Sequence, residues 1–522
     1  MTRHRICGLV SSLMRILFYN WANVYDPVGR GGGVAVYQRN LAEHFEHKEG
    51  FTIKYLSAGI FNDFFKSKAR WQRARVNKGG PWKDHFEIIN SKATAPAHFS
   101  YGMDAQVEDQ GVVDAFEDFI EKEGPFDIIH FNNLEGLPAN VLTLKSKFPN
   151  TKFLLSMHNY YPFCPQVNLW FSELISCSDF KDGEKCVNCI WHYFHTEHIH
   201  AEGFVEQMFA RFGMLRDKGI LSRYFFHFRV VIWFLKFALS KLSGGRLTKF
   251  PPRLNTPSRL ENKYKNREYP IQSSVATADY FKNRRAVFVD YINKYCDAVI
   301  GVSDRVSEIT RSFGVRSDIV KTLYIGTQQA EVFYEQKRES PIFDEDGCLH
   351  IAYLGYMRRD KGYYFLLEAL AALPKKYARR IKVTVAARSS HPNAVAHLYR
   401  TLSHFNETNY YDGYTHNDLD EILAPVTLGI IPSLWEDNLP QTAIEMHARR
   451  IRLLVSDMGG APELGNFPDL VFKADSKSEF IDKLIGLLDK TLLVDKYWKS
   501  AMPPKTMLDH SDELLELYNE AL

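Results

Sequence analysis

Asp437 and Glu445 stand eight positions apart in the stretch Ile430-Ile431-Pro432-Ser433-Leu434-Trp435-Glu436-Asp437-Asn438-Leu439-Pro440-Gln441-Thr442-Ala443-Ile444-Glu445. Carboxylates accept hydrogen bonds, so two acids in one loop suit the hydroxyls of a sugar. Upstream, Val426-Thr427-Leu428-Gly429-Ile430-Ile431 is a short apolar run that predicts a buried parallel strand. Downstream, Ala443 to Ala448 predicts a helix with Pro440 near its first turn, where a missing N–H costs nothing. The loop between them sits at the carboxyl end of a strand, where open α/β sheets hold ligands. Backbone N–H groups at the helix start suit a phosphate.

Further polar residues need strands and a helix of their own to position them. Gly29-Arg30-Gly31-Gly32-Gly33 follows the β-prone run Arg15-Ile16-Leu17-Phe18-Tyr19, and Val34, Tyr37, Leu41 and Phe45 then recur at helical spacing. Strand, glycine loop and helix in that order bring backbone close to a phosphate or a sugar. The glycines are not a dinucleotide fingerprint, because Gly29-x-Gly31-x-x ends on Val34. Phe126 to Phe131 and Lys152 to Met157 predict two more strands. Asn132, Asn133 and Glu135 follow the first, and His158 and Asn159 follow the second.

At these residues the chain resembles the retaining glycosyltransferases of family 4, enzymes of the bacterial envelope polysaccharide type with the two-domain GT-B fold. The family pattern is Glu, seven residues, Glu, with a Pro inside the spacer. That spacing falls on Asp437 and Glu445, with Glu436 one residue too early. Ser456-Asp457-Met458-Gly459-Gly460-Ala461-Pro462-Glu463 matches a second signature in order. After the run His350 to Gly355, the family's Lys-Gly falls on Lys361-Gly362, but its arginine position is Tyr356. Arg358 or Arg359 is expected to replace that phosphate contact. Gly413-Tyr414-Thr415 resembles the base-contacting turn, and Glu135-Gly136 and His158-Asn159-Tyr160-Tyr161 resemble the acceptor-side loops. The resemblance covers residues 14–60, 126–190 and 295–480 and leaves out the insertion and the tail.

The resemblance implies an α/β, GT-B protein: two Rossmann-like domains facing a cleft, with a helical and loop insertion in the first. The expected divisions are 14–325, with an insertion over 160–290, then a linker over 326–347, a second domain over 348–495 and a C-terminal helix over 496–522 that packs back on the first domain. The implied activity is hexosyl transfer from a UDP- or GDP-sugar to a glycan or lipid-linked acceptor, with retention at the anomeric carbon. Asp437 would hold sugar hydroxyls, Glu445 the ribose, and His158 the reacting sugar from the opposite domain. Gly31, Gly32, Gly33, Arg358, Lys361, Tyr414, Asn438, Leu439, Pro440 and Gln441 would complete the donor site, with Asn133, Glu135 and Asn159 on the acceptor side. Lys361 and the helix N-terminus near Pro440 can stabilise a pyrophosphate leaving group, so no catalytic metal is expected. Two other readings stay open. One is a catalytically silent sugar-binding or scaffold protein, favoured by Tyr356 and by Arg449-Arg450-Ile451-Arg452, where the family usually has Gly and Pro. The other is a sucrose-synthase-like enzyme acting on a free sugar.

Cys164, Cys177, Cys186 and Cys189 fall within 26 residues and could make a tetrahedral zinc site, with His192, His195, His198 and His200 as substitutes. Unligated or redox-labile thiols are the competing reading. An odd seven cysteines in 522 residues do not resemble a secreted disulfide framework. A net charge of +3 argues against a general nucleic-acid binder. The basic character belongs to residues 221–270, with 11 Lys/Arg against 2 acids, so the remainder nets −6 (54 minus 60). That segment holds the aromatic run Tyr224 to Phe237. It suits an anionic membrane surface, though core packing is the alternative. No run reaches the roughly 18 to 20 apolar residues that span a bilayer. Ile6 to Met14 imitates a signal peptide without a cleavage site, so a dispensable leader before Met14 is expected. The expected location is cytoplasmic, peripheral on the inner face of the plasma membrane.

Overall fold

The structure is a computed structural model that describes residues 13–26, 29–46, 48–75, 83–172, 174–190, 196–211, 276–335, 341–389 and 392–522. The basic segment 221–270, residues 1–12 of the expected leader before Met14, and His192 and His195 lie outside the described residues.

Two large sheets account for the strand runs. The first joins β1 (Met14–Tyr19), β2 (Phe51–Ala58), β3 (Arg70–Arg73), β4 (His85–Ile89), β5 (Ile128–Phe131), β6 (Lys152–Met157), β9 (Ala298–Gly301) and β10 (Val320–Thr322), in the order β10-β9-β6-β5-β1-β2-β4-β3. All its pairings are parallel except the edge pair β3 and β4. A small hairpin pairs β7 (Trp170–Phe171) with β8 (Ile175–Ser176). The second large sheet joins β11 (Leu349–Tyr356), β12 (Ile381–Arg388), β13 (Glu407–Tyr411), β14 (Leu428–Ile431), β15 (Arg452–Ser456) and β16 (Val471–Phe472). Its order is β13-β12-β11-β14-β15-β16, parallel throughout. Ile16, Leu17, Phe18 and Tyr19 of β1 are all buried, as expected for a parallel strand covered on both faces.

Strand order reverses once in each sheet. In the first, chain order runs outward in opposite directions from β1 and β5. In the second it does so from β11 and β14. Crevices open at such reversals beyond the carboxyl ends of the strands. The loops after β1, β5, β11 and β14 are those that carry Asn20, Asn133, Lys361 and Asp437.

Three local features depart from the sequence expectation or extend it. The helix after the glycine loop spans Gly32–Glu46, so two of the glycines form its first turn rather than the loop before it. The stretch before Gly347, which lacks a periodic pattern, carries a short helix at Glu331–Glu335, with Phe333 buried. Met507–Ala521 is a helix, begun by Thr506, whose Oγ1 accepts from Asp509 N at 3.0 Å. It packs against the Gly32–Glu46 helix of the first sheet, burying Met507, Leu514 and Tyr518.

Candidate active site

Lys361 and Asp437 come from the two loops that flank the strand-order reversal of the second sheet. Their side chains meet at 2.5 Å, and Lys361 Nζ lies 5.0 Å from the centroid of the Trp435 ring. Gly362 explains why Lys361 is followed by glycine. Its φ is +73°, and an added Cβ would strike Pro432 O at 1.7 Å, so the two loops touch backbone to backbone. Leu434 N also donates to Asp360 O at 2.9 Å. Arg358 is committed to Asp360 through two hydrogen bonds of 2.9 and 2.7 Å. Tyr356, at the end of β11, is exposed.

Glu445 lies in the second turn of the Gln441–Ala448 helix, for which Pro440 is the N-cap. Both its oxygens are held: Tyr414 Oη donates to Oε2 at 2.8 Å, and His416 Nε2 lies 3.2 Å from Oε1. The hydrogen bond to Glu445 raises the pKa of His416, and burial beside the same carboxylate raises that of Tyr414. His416 was missed in the sequence. The signal available there was its place two residues after Tyr414 in the same turn.

The first sheet brings its polar loops together at its own reversal. Glu135 is buried; its Oε1 accepts from Asn159 Nδ2 at 2.6 Å and its Oε2 from Ala97 N at 2.8 Å. Desolvation raises this carboxyl to a pKa of about 7. Asn133 donates to Asn20 Oδ1 at 2.5 Å. The loop holding His158 through Tyr161 is fixed from behind by Arg284, whose guanidinium donates to Tyr161 O at 2.8 Å, Pro162 O at 3.3 Å and Gln106 Oε1 at 2.7 Å. The His158 ring packs on Tyr37 at 4.8 Å between centroids, and burial lowers its pKa to about 3. Among the described residues, His158 Nε2, Asn20 Nδ2, Asn132 Oδ1 and Asn133 Oδ1 are buried without a hydrogen-bond partner. Such groups normally find one, so this end of the sheet has donors and acceptors to offer a polar ligand.

Contacts between the halves bring these loops face to face. Asn438 Nδ2 donates to Met157 O at 2.8 Å, one residue before His158, and Ser303 Oγ donates to Asn438 O at 2.9 Å. Gly33, in the first turn of its helix, approaches Gln441; a Cβ there would lie 3.5 Å from Gln441 Cγ. Glu436 binds Arg305 across the halves, with oxygens 3.1 Å from Nε and 2.5 Å from Nη2, and accepts from Gly459 N at 2.9 Å. Glu463, inside the second signature, accepts from Asp304 N at 2.9 Å and Arg305 N at 2.8 Å. Glu436 and Asp437 are therefore neighbours in sequence with opposite duties, one bound to the first half and one to Lys361.

Residues 335–501 match the family model described as glycosyl transferases group 1. This stretch resembles a group 1 glycosyl transferase domain. It holds Tyr356, Lys361, Asp437 and Glu445, and so all of the second-sheet site. Over the whole chain, the structure is similar to sucrose-phosphate synthase from Thermosynechococcus elongatus, with a TM-score of 0.52, 13% identity, and 97% of this chain and 98% of that one covered. It is likewise similar to HepE from Anabaena in complex with UDP, with a TM-score of 0.52, 12% identity, and 97% and 100% covered. The lipopolysaccharide outer core galactosyltransferase WaaB in its apo form has a TM-score of 0.53, 11% identity, and 97% and 100% covered. At such identities the likeness is one of fold, and the fold is GT-B. No curated protein matches the chain by sequence.

The cysteine cluster precedes the matched stretch. Cys164, Cys186 and Cys189 are buried and Cys177 is partly exposed. Burial and the mutual proximity of the thiols raise Cys177 to about 11 and Cys186 to about 12, and a soft cation would relieve that cost. Yet Cys189 Sγ accepts from Gln166 Nε2 at 2.8 Å. Among the described residues no three His, Cys, Asp or Glu side chains gather closely enough to hold a metal ion. The thiols are neighbours but do not form a coordination shell.

Proposed function

We propose that the protein is a retaining hexosyltransferase that takes a sugar from a UDP- or GDP-sugar and passes it to a glycan or lipid-linked acceptor. The observation that carries this reading is the meeting of Lys361 with Asp437 at the second sheet's strand-order reversal, opposite the Met157-His158 end of β6. In this reading Lys361 leaves Asp437 to neutralise the pyrophosphate as the donor enters, and Asp437 turns to the sugar hydroxyls. Glu445, held by Tyr414 and His416, accepts from the ribose. His158, neutral and with a buried ring nitrogen, donates or accepts at the reacting sugar. Glu135 and Asn159 orient the acceptor, and a carboxyl near pKa 7 can take up its proton. The HepE complex supports a UDP donor by its bound ligand. No metal enters any step.

Two further elements belong to this reading. A structural zinc at Cys164, Cys177, Cys186 and Cys189 would draw the four thiols into a shell and pin the loop after His158; elemental analysis of the purified chain tests it. A position on the inner face of the plasma membrane is supported by the basic excess of 221–270. Among the described residues no helix is long and apolar enough to cross a membrane.

A panel of UDP- and GDP-sugars in a thermal-shift assay, followed by transfer to lipid-linked and free sugars, tests the function. Binding of a donor stabilises the fold by mass action. One specific observation favours the silent, sugar-binding alternative: Tyr356 stands where the family has arginine, while Arg358 is bound to Asp360. Donor binding without transfer or hydrolysis would decide for it.

A further inference from the structure

Among the described residues, Phe64 and Phe65 are large apolar side chains left in water, at 56% and 83% exposure. Lys66, Ser67 and Lys68 follow them, and all are exposed. The loop that presents them is rigidly built. Asp63 is buried, its Oδ1 accepts from Phe65 N at 2.9 Å and Lys66 N at 3.3 Å, and its Oδ2 meets Arg70 at 2.5 Å. Asn90 closes the loop from the other side, donating to Lys66 O at 2.6 Å and Lys68 O at 3.2 Å. A loop tied down at this many points while its two phenylalanines face solvent holds them there against the hydrophobic effect.

A second element joins the patch. Phe204 of the Thr196–Arg211 helix packs on Phe64 and Phe65, with centroids 4.9 and 5.5 Å apart, and Met208 one turn on is exposed. The helix is pressed onto the same loop: a Cβ at Gly203 would strike Ile60 O at 2.3 Å. Its position is fixed further by Glu206, which holds Arg30 of the glycine loop at 2.7 Å. The chain that leaves this helix at Arg211 leads into residues 221–270, with 11 Lys/Arg against 2 acids and the aromatic run from Tyr224 to Phe237.

We infer that the Phe64–Lys68 loop, with Phe204 and Met208, is a docking surface for an anionic lipid bilayer. Aromatic rings favour the membrane interface, and lysines beside them favour anionic head groups. The loop follows the carboxyl end of β2, the same edge that carries Asn20, Glu135 and His158, because β1, β2, β5 and β6 are parallel. Docking there turns the acceptor side of the cleft toward the membrane. The inference deepens the lipid-linked acceptor reading, but vesicle binding can be measured without donor or acceptor, so the two fail separately.

The test uses the full chain with vesicles of phosphatidylcholine alone or with about 30% phosphatidylglycerol. The wild type should float with the anionic vesicles, and the amides of residues 63–69 should gain protection from hydrogen exchange when vesicles are added. Phe64→Ser with Phe65→Ser should weaken vesicle binding at least about tenfold with only a small drop in the thermal midpoint, since both rings are largely exposed and lose chiefly their contact with Phe204. Lys66→Ser with Lys68→Ser should remove part of the salt-sensitive binding. Vesicle binding that persists in the phenylalanine variant with residues 63–69 unprotected would place docking on 221–270 alone and overturn the inference. Absence of vesicle binding by the wild type would also overturn it. So would a dimer abolished by the phenylalanine variant without any vesicle binding, which would give the surface to a second copy of the chain.

Discussion

Lys361 Nζ and Asp437 Oδ2 lie 2.5 Å apart, each on a loop that leaves its sheet at the same reversal of strand order. In the proposed function, the pair keeps a cation and an anion ready for a charged donor to displace one from the other. Lys361→Ala and Glu445→Gln should each lower transfer at least about 100-fold, since charge stabilisation of this type is worth about 3 kcal/mol in the transition state. Steady-state kinetics, with circular dichroism to confirm folding, checks this. Near-normal turnover in a folded variant would sink the donor-site assignment.

The Arg305–Glu436 pair ties the halves beside Asp437. Glu436 is buried but Arg305 is partly exposed, so the pair contributes about 1 kcal/mol rather than the larger figure of a fully buried one. Glu436→Gln should loosen closure, raise the radius of gyration in small-angle scattering, and weaken donor binding roughly five- to tenfold. An unchanged scattering profile and donor affinity would remove the pair from any role in closure.

Stability should depend on pH in two opposed ways. Burial raises Glu135 and Glu87 to about 7 from an ordinary value of 4.5. A carboxyl raised on folding binds its proton more tightly in the folded state, so stability falls as pH rises from 4.5 to 7. Burial also lowers His130 and His158 to about 3 and His510 to about 4, from 6.5. These groups are neutral when folded, so their contribution is complete above 6.5 and is lost as pH falls toward 3 to 4. Glu135→Gln should remove one opposing carboxyl, so its stability relative to the wild type should rise between pH 5 and 7 by an amount on the order of 3 kcal/mol. Chemical denaturation at intervals of pH measures it; an unchanged slope would count against a raised Glu135.

The C-terminal helix is a buried strap of hydrogen bonds. Tyr518 Oη lies 2.6 Å from His130 Nδ1, and Tyr37 Oη lies 2.8 Å from His510 Nε2. His510 Nδ1 donates to Tyr324 O at 2.8 Å, so Nε2 accepts from Tyr37, whose ring packs on His158. Tyr37→Phe should cost about 1 to 3 kcal/mol, because it strands a buried acceptor. It should also lower kcat more than it raises KM, since the ring that packs on His158 stays but loses the hydrogen bond to His510 that fixes it. A fall in stability with kcat untouched would leave Tyr37 a purely structural residue.

Much of this protein is legible along the chain because the information is local. β6 forms over Lys152–Met157, the bounds its apolar run predicts, and Asp437 and Glu445 flank the N-terminus of a helix as their spacing and Pro440 require. Alternation, helical period and turn chemistry act between residues a few positions apart, so strand, loop and helix follow from the sequence, while the GT-B class comes from the resemblance carried by its motifs. Partners across long separations do not. Lys361 and Asp437 are 76 positions apart, Arg305 and Glu436 are 131, and Tyr37 and His510 are 473. No periodicity encodes which of two adjacent acids, Glu436 or Asp437, turns to the cleft lysine and which to the other half. Only the packing of two sheets against each other decides it, by placing one carboxylate within reach of each cation. The exposure of Phe64 and Phe65 is of the same kind. No local pattern sets it; Asp63 and Asn90 hold the loop through bonds to its backbone.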